Sequence, residues 1–211
     1  MKYSTFSKEH VLLENGYEII AGIDEAGRGC LAGPIVAGVV AISKDDQYLP
    51  GVWDSKAMTA KRREEAFEKI CEIVDGWAVG VVESEEIDRI GIDAATTKAM
   101  EMAYREMGLD RRPDMVLVDG ARVTIPNVTG FRIQAGDRKH YVISAASVIA
   151  KVSRDRMMYK YAEKYPEYGF ESHVGYGTKR HMEAVEKFGV TEIHRRSYAP
   201  IKKHLWRLSG R

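Results

Sequence analysis

The sequence predicts an α/β protein in which helices cover an open sheet. Apolar runs at residues 17–23, 34–42, 77–82 and 114–120 have the length and the Val/Ile content of buried strands. Helical segments are predicted between and after them, at 59–75, 92–107 and 141–163. The run at 17–23 is followed by Asp24, Glu25 and then Gly27, and the run at 114–120 ends in Asp119 and Gly120. Functional residues gather at the carboxyl ends of strands in open α/β sheets, so these acids are the first candidates for a site.

Composition and charge limit the domain organisation, the partners and the cellular location that the sequence allows. The 211 residues allow one large domain, or one domain with a small appendage. A net charge of +1 gives no global sign of nucleic-acid binding, so such affinity must come from local patches such as the basic tail at 195–211. Cys30 and Cys71 match no metal-ligand spacing and indicate reduced thiols. Neither a signal peptide nor a membrane-spanning run is found, which predicts a cytoplasmic protein without a membrane partner.

Local signals define where the predicted helices begin and end. Thr59 is the expected N-cap of the first long helix, and Gly108 closes the helix at 92–107. The helix at 141–163 is the longest and ends before Pro166. Its later turns carry four cations that predict a mostly solvated face: Lys151, Arg154, Arg156 and Lys160.

The segment at 168–178 contains three aromatic residues and three glycines, which predicts a rigid loop presenting aromatic rings. Thr178 is then the expected N-cap of a helix that runs to Phe188 and is closed by Gly189. Trp206 lies in the basic tail. It could stack on a base or pack within a small subdomain, and packing is favoured.

Four acids stand out by their positions. Asp24 and Glu25 follow the first strand, Asp119 ends a later strand, and Asp137 lies in a turn before the longest helix. Four carboxylates brought together would repel one another, and a shared divalent cation removes that conflict. Mg²⁺ prefers oxygen ligands and suits carboxylates combined with a substrate phosphate. These residue types are also common in exposed turns and loop caps, so the pattern alone leaves both interpretations open.

The turn Gly27–Arg28–Gly29 directly follows the first two acids. Its glycines let the backbone approach something bulky, and Arg28 is predicted to place a positive fork beside the carboxylates. Adjacent strand residues point to opposite faces, so Asp24 and Glu25 need a bend between them to share one ligand.

Other catalytic motifs are missing from the sequence. It contains no P-loop, no G-x-S-x-G elbow and no Cys/His cluster of zinc-binding spacing. The six histidines are scattered; His140 and His173 lie nearest to motifs and are interpreted as structural or surface residues.

Five ordered blocks of the sequence resemble the ribonuclease HII family. They are Asp24–Gly29, Asp54–Lys56, Val118–Gly120, Gly136–Asp137 with Ile143–Asp155, and Gly175–Thr178. The resemblance extends from about Tyr17 to Tyr198. It implies an RNase H-like core at residues 1–165, with a mixed sheet flanked by helices. It also implies a small C-terminal helical extension at 166–211 that contributes to substrate binding.

The same resemblance implies the reaction. The chain is expected to be a metal-dependent endoribonuclease that hydrolyses RNA in RNA–DNA hybrids. It is also expected to incise 5′ to ribonucleotides embedded in duplex DNA, as in ribonucleotide excision repair, leaving 3′-OH and 5′-phosphate ends. Mg²⁺ or Mn²⁺ is the implied cofactor, and the implied form is a monomer.

The family motifs assign roles to particular residues. The implied catalytic and metal-binding acids are Asp24, Glu25, Asp119 and Asp137. The implied substrate-binding residues are Gly27, Arg28, Gly29, Ser55, Lys56 and Tyr176, with Tyr176 as the junction-sensing residue. Relatives usually carry Asn where Gly91 stands and Lys where Val174 stands, which leaves affinity and substrate preference less determined than the activity class.

Two other functions are alternatives to ribonuclease activity. A non-catalytic nucleic-acid-binding module would not need all four acids, and they are retained. A phosphotransferase or ATPase should carry a glycine-rich nucleotide loop, and the sequence contains none.

Overall fold

One mixed sheet forms the centre of the molecule. The computed structural model describes residues 7–43, 52, 55, 58–120 and 130–209. The strands are β1 (Ile19–Ala26), β2 (Ile35–Ser43), β3 (Gly76–Val82), β4 (Met115–Asp119) and β5 (Gly130–Ile133), in the spatial order β3-β2-β1-β4-β5. The pairs β1–β2 and β2–β3 are antiparallel, whereas β1–β4 and β4–β5 are parallel. The predicted mixed sheet is confirmed.

Helices cover both faces of this sheet. They are α1 (Ser7–Glu14), α2 (Ala60–Ile73), α3 (Ser84–Ile90), α4 (Ile92–Arg105), α5 (Tyr141–Lys164), α6 (Phe170–His173), α7 (Lys179–Phe188) and α8 (Ala199–Leu208). Side chains alternate along each strand. Ile20 and Ile42 therefore pack with α5 and α2 on one face, while Ile23 and Val39 pack with α4 on the other. No helix in the described ranges is long and apolar enough to cross a bilayer.

Three of the predicted caps form as the sequence indicates, whereas the predicted closure by Gly108 is corrected: α4 ends at Arg105 with Glu106 as its C-cap. Thr59 accepts a hydrogen bond from the Arg62 amide (3.3 Å), and Thr178 accepts one from the His181 amide (3.2 Å). Gly189 ends α7. The short helix α1 is not predicted. It places Glu9, which is fully buried, so that a carboxylate oxygen accepts from the Val142 amide (3.3 Å) in the first turn of α5.

A third apolar cluster joins the C-terminal helices to the end of α5. Leu31, Met158, Phe170, Val185 and Ile201 are among its buried members. The prediction that residues 168–178 display several rings is therefore corrected for Tyr168 and Phe170, which are buried in this cluster; a half-exposed Tyr176 is the ring that remains outside. The separate extension at 166–211 stays a prediction.

Close contact between β2 and α5 depends on Gly38. A Cβ atom added to Gly38 would lie 2.5 Å from the Ala146 carbonyl oxygen and 2.7 Å from the Ala150 amide nitrogen, both of them backbone atoms of α5. Because α5 begins just after the turn that carries Asp137, this contact also sets the position of that acid.

We expect Gly38→Ala to lower the free energy of unfolding by about 1–3 kcal/mol, because the helix must move away from the sheet. The matched control is Gly29→Ala, since a Cβ on Gly29 meets nothing within 4 Å. Urea unfolding of both variants measures the difference. Equal stability of the two variants would contradict the packing argument.

Candidate active site

Strand order brings Asp24 and Asp119 together. Each lies one residue beyond the last parallel pair of β1 and β4, which joins Ile23 to Val118. Asp137 reaches the same place from the 3-10 turn Gly136–Arg138 before α5. One carboxylate oxygen from each aspartate lies within 4.8 Å of the others, and Asp24 and Asp137 are buried.

Backbone amides hold these carboxylates in place. The Asp119 Oδ1 atom accepts from the Gly136 amide (2.8 Å) and the Gly120 amide (3.0 Å). The Asp24 Oδ1 atom accepts from the Glu25 amide (2.8 Å). On the other side, the Ser144 hydroxyl donates to the Asp137 carbonyl (2.7 Å) and ties the turn to α5. These amide donors fix the orientation of the two carboxylates toward the site.

The donor set of this acid cluster, Asp24–Asp119–Asp137, fits a hard divalent cation. Three ionised carboxylates this close together, two of them buried, would repel one another strongly. A cation with a preference for oxygen ligands offsets that repulsion, and oxygen atoms within 4.8 Å can share one octahedral ion or bridge two. The residues present therefore fit Mg²⁺ or Mn²⁺.

Glu25 has a different environment from Asp24. Strand β1 runs on through Glu25 to Ala26, with Glu25 paired to Ala37 of β2. The bend expected between the two acids is absent, so their side chains leave opposite faces of the sheet. Glu25 is not in the group of carboxylates within 4.8 Å. Its metal-binding role stays a prediction, one that requires a longer reach or a second ion.

The Arg28 side chain is bonded to helix α4. Its guanidinium pairs with Asp93 and donates to the Thr96 hydroxyl (3.1 Å), both on α4. The expected positive fork next to Asp24 and Glu25 stays a prediction, because these bonds direct the guanidinium toward α4. Asp93 and Thr96 are spaced i and i+3 on one helix face, so they offer a fixed double acceptor that the sequence pattern did not reveal.

Two fully buried arginines hold the segment that follows β1. Arg154 donates to the carbonyls of Ala32 (3.0 Å), Pro34 (3.0 Å) and Val174 (2.9 Å). The prediction that Arg154 lies on a solvated helix face is corrected, because its guanidinium is buried among backbone carbonyls. Helical periodicity cannot indicate such an environment, since the carbonyls come from other segments. Among the other cations of α5, Lys151 pairs with Asp155 and Arg156 with Glu64.

Arg195 is the second of these buried arginines. It donates to the carbonyls of Gly33 (3.0 Å) and Arg28 (3.0 Å), and Tyr198 adds a hydroxyl donor to the Arg28 carbonyl (2.6 Å). Burial lowers the pKa of Arg195, which is the cost of enclosing a guanidinium. The turn at 27–29 is thus held through its own backbone.

Gly27 and Gly29 of that turn differ in the space available for a side chain. Gly27 has φ 95°, and a Cβ there would overlap the Arg154 guanidinium. Gly29 is exposed and a Cβ would meet no atom within 4 Å. Packing inside the protein therefore explains Gly27, whereas only something outside the chain would explain Gly29.

Tyr176 lies on a loop docked against the same segment. The Leu31 amide donates to the Gly175 carbonyl (2.8 Å), directly before Tyr176. The ring is 42% exposed, with the Lys151 ammonium 5.9 Å from its centroid. Its hydroxyl hydrogen-bonds to the Cys30 thiol, whose pKa is raised by burial against the opposing effect of nearby cations and of this bond. The ring thus stands at the surface on a backbone anchored next to the 27–29 turn.

The loop around Ser55 is described only in part. Ser55 is buried; its hydroxyl lies 2.6 Å from that of Ser147 on α5, and its carbonyl accepts from Arg63 (3.0 Å). Asp54 and Lys56 lie outside the described residues. The substrate contacts of Ser55 and Lys56 stay predictions.

Comparison with known proteins places this arrangement in a family. The sequence model of the family described as Ribonuclease HII matches residues 21–201. The ribonuclease HII of Clostridioides difficile is 49% identical over 185 residues, covering 88% of this chain and 71% of that protein. The ribonuclease HII of Caldicellulosiruptor bescii is 47% identical over 196 residues, or 92% of each chain.

The chain belongs to the ribonuclease HII family. Its fold agrees with the crystal structure of the ribonuclease H2 from Pyrococcus horikoshii OT3, with a TM-score of 0.76 and 30% identity over 92% of this chain and 100% of that one. The chain is therefore a metal-dependent nuclease, a ribonuclease H that cleaves RNA in RNA–DNA hybrids. The family depends on divalent metal ions, and the acid cluster is the place in the described residues that fits them.

Gly91 and Val174 both lie at unusual backbone positions. Gly91 joins α3 to α4 at φ 82° and ψ 158°, a region essentially restricted to glycine. Val174 occupies the left-handed region at φ 43° and ψ 38°, where a β-branched residue is strained. Asn at position 91 would thus require a different local path of the chain.

A cluster of buried histidines beneath the Tyr176 loop was missed by sequence reasoning. His173, His181 and His194 come from separate segments, and the rings of His173 and His181 stack with centroids 4.6 Å apart. Burial lowers the pKa of all three rings, to about 4 for His181 and about 3 for His194. No spacing rule indicates that these residues meet; the fold of α6 and α7 brings them together.

This cluster predicts acid sensitivity in this ribonuclease H. The native state keeps His181 and His194 neutral, whereas the unfolded chain takes up their protons near pH 6.5. Their stabilising contribution is complete above that pH and declines as pH falls toward the folded pKa values. We expect the free energy of unfolding to drop by about 3 kcal/mol between pH 7.5 and 5.5, measured by urea unfolding. His181→Asn should reduce the drop, and a flat profile would contradict this.

Proposed function

We propose that the enzyme also incises duplex DNA on the 5′ side of an embedded ribonucleotide, leaving 3′-OH and 5′-phosphate ends. The observation that carries this proposal is the turn at 27–29. It directly follows the strand bearing Asp24, it is clamped through its backbone by Arg195 and Tyr198, and its Gly29 is open to the outside. A rigid turn beside a metal-binding site suits recognition of one sugar hydroxyl at the scissile position.

Asp24, Asp119 and Asp137 would hold the divalent ions, with Glu25 as a further ligand. Mg²⁺ or Mn²⁺ ions bound there supply the positive charge that stabilises in-line attack of water on phosphorus and departure of the 3′ oxygen. The amides of Gly120 and Gly136 keep the Asp119 carboxylate oriented. The three clustered aspartates need no residue from a second subunit, and we propose a monomer. The free thiols Cys30 and Cys71 suit the reducing cytoplasm.

Discrimination of RNA from DNA would rest on the turn. The 2′-OH is the group that distinguishes the two sugars, and it both donates and accepts hydrogen bonds. Because Gly29 has no side chain, the backbone groups of the turn can come within hydrogen-bonding distance of the 2′-OH. Arg28 would serve through its backbone, since its side chain is committed to α4.

Tyr176 would recognise the junction. Its exposed ring would stack on the deoxyribose on the 3′ side of the ribonucleotide. The acid cluster would act on the phosphate on the 5′ side of the ribonucleotide. Lys151, between the ring and Asp155, adds a cation suited to a backbone phosphate.

The acid cluster is tested by Asp119→Asn. Asparagine keeps an oxygen that can accept from the Gly136 and Gly120 amides but removes the charge. Cleavage should fall by several orders of magnitude, because loss of a metal-binding carboxylate removes several kcal/mol of transition-state stabilisation. The melting temperature without metal should stay equal or rise as repulsion is relieved. Cleavage at the parent rate with Mg²⁺ would refute the assignment.

The turn is tested by Gly29→Ala. The new methyl group meets no protein atom, so the melting temperature should not change. It would intrude on a sugar that approaches the turn, so kcat/KM on both RNA-containing substrates should fall by about tenfold or more, equivalent to about 1.4 kcal/mol. If activity is unchanged, the substrate does not approach Gly29.

Tyr176 is tested with two substrates. We expect Tyr176→Ala to lower kcat/KM for a single embedded ribonucleotide by about tenfold or more, because stacking contributes about 1–3 kcal/mol. Cleavage within a long RNA–DNA hybrid should change much less, since no deoxyribose follows the cleavage site there. Tyr176→Phe keeps the ring and should retain most activity. Equal losses on both substrates would show that Tyr176 does not read the junction.

A further inference from the structure

The backbone of Tyr176 is anchored by a buried histidine. The His181 Nδ1 atom lies 2.9 Å from the Tyr176 carbonyl oxygen. A carbonyl only accepts hydrogen bonds, so Nδ1 must carry a proton. In a neutral ring the Nε2 atom of His181 is then an acceptor.

A second histidine supplies the donor for that acceptor. The His194 Nδ1 atom accepts from the Thr191 amide (3.0 Å), which can only donate. The His194 proton therefore lies on Nε2, and that atom is 3.1 Å from Nε2 of His181. One chain of donors thus runs from Thr191 through both rings to the Tyr176 carbonyl, with one proton on each ring. Burial, which lowers the pKa of both rings, keeps them in this neutral form.

A third ring completes the support of the loop. His173 stacks on His181, accepts from the Gly175 amide at Nδ1 (3.3 Å) and donates from Nε2 to the Tyr168 carbonyl (2.9 Å). The backbone on either side of Tyr176 is therefore bonded to neutral imidazoles that are almost wholly enclosed.

The loop needs this support because its conformation is strained. Val174 lies in the left-handed region, which costs a β-branched residue on the order of 1–3 kcal/mol. The Tyr176 ring itself is 42% exposed, so contacts of the ring alone hold it incompletely. Its direction follows from the backbone. The Leu31 amide and Arg154 hold the carbonyls of Gly175 and Val174, and the histidine relay holds the carbonyl of Tyr176 itself.

We propose that His181, oriented by His194, is a positioning residue for Tyr176 and thereby a determinant of selectivity for ribonucleotide–DNA junctions. The inference rests on the proposed junction-reading role of Tyr176. His181 does not touch substrate in this account; it sets the place and direction of the ring that does.

The first test requires no substitution. Long-range ¹H–¹⁵N correlation spectra of the ¹⁵N-histidine-labelled full chain at pH 7 report which nitrogen of each ring carries the proton. We expect Nδ1–H for His181 and Nε2–H for His173 and His194. A proton on Nε2 of His181, or on Nδ1 of His194, would overturn the relay.

The second test uses a matched pair of variants. His181→Leu removes the donor to the Tyr176 carbonyl, whereas His181→Asn keeps an amide donor close to the position of Nδ1. We expect His181→Leu to lower kcat/KM for the embedded ribonucleotide about three- to tenfold more than for the long hybrid, as loss of one hydrogen bond implies. His181→Asn should recover most of that selectivity. Similar losses on both substrates, in step with the melting temperature, would mean that His181 is only structural.

A double-variant cycle separates this inference from the function on which it rests. In a Tyr176→Ala background, His181→Leu should cause no further selective loss, because the ring it positions is gone. If Tyr176→Ala alone shows no selective loss, the junction-reading function itself fails. If Tyr176→Ala is selective but His181→Leu is not, only the positioning role fails. Should His181→Leu not fold, the spectra still decide, since a proton on Nε2 of His181 would overturn the proposal.

Discussion

Repulsion among three carboxylates is the constraint around which this structure is arranged. Parallel pairing of β1 with β4 places Asp24 and Asp119 side by side, and the turn before α5 adds Asp137. Such a cluster is unfavourable unless backbone amides and bound cations offset its charge. The close seating of α5 on Gly38 and the amide bonds of Gly120 and Gly136 therefore serve both the fold and the chemistry.

The region next to the acids is organised by buried cations bonded to backbone carbonyls. Arg154 and Arg195 spread their donors over carbonyls at 28, 32, 33, 34 and 174, which lie on segments distant in sequence. A guanidinium can satisfy several acceptors at fixed angles, which an ammonium cannot. This fixes the 27–29 turn and the Tyr176 loop relative to each other without a carboxylate that would compete for the metal ions.

Much of the fold could be predicted because it follows from local patterns. Apolar runs gave the strands, Thr59 and Thr178 gave helix starts, and Asp119 at a strand end indicated where a site would form. The family resemblance, carried by ordered motifs, supplied the activity class. Local pattern failed where long-range packing decides: Arg154 has the helical spacing of an exposed cation but is enclosed by carbonyls from other segments.

The site was predicted less completely than the fold. Asp24, Asp119 and Asp137 converge as expected, whereas β1 continues through Glu25 and turns it away from them. Arg28 is drawn to Asp93 and Thr96, partners some 65 residues onward that no motif connects to it. The histidines are scattered in sequence, and only the packing of α6, α7 and the following segment shows that they form one buried relay.

The most direct measurement of the central claim is the anomalous scattering of Mn²⁺ in crystals of the enzyme. We expect a peak bonded to carboxylate oxygens of Asp24, Asp119 and Asp137 at about 2.1 Å, the distance typical of small octahedral cations. The same map shows whether Glu25 binds a second ion. Saturating Mn²⁺ with no peak at these three aspartates, or with its peak elsewhere, would contradict the account.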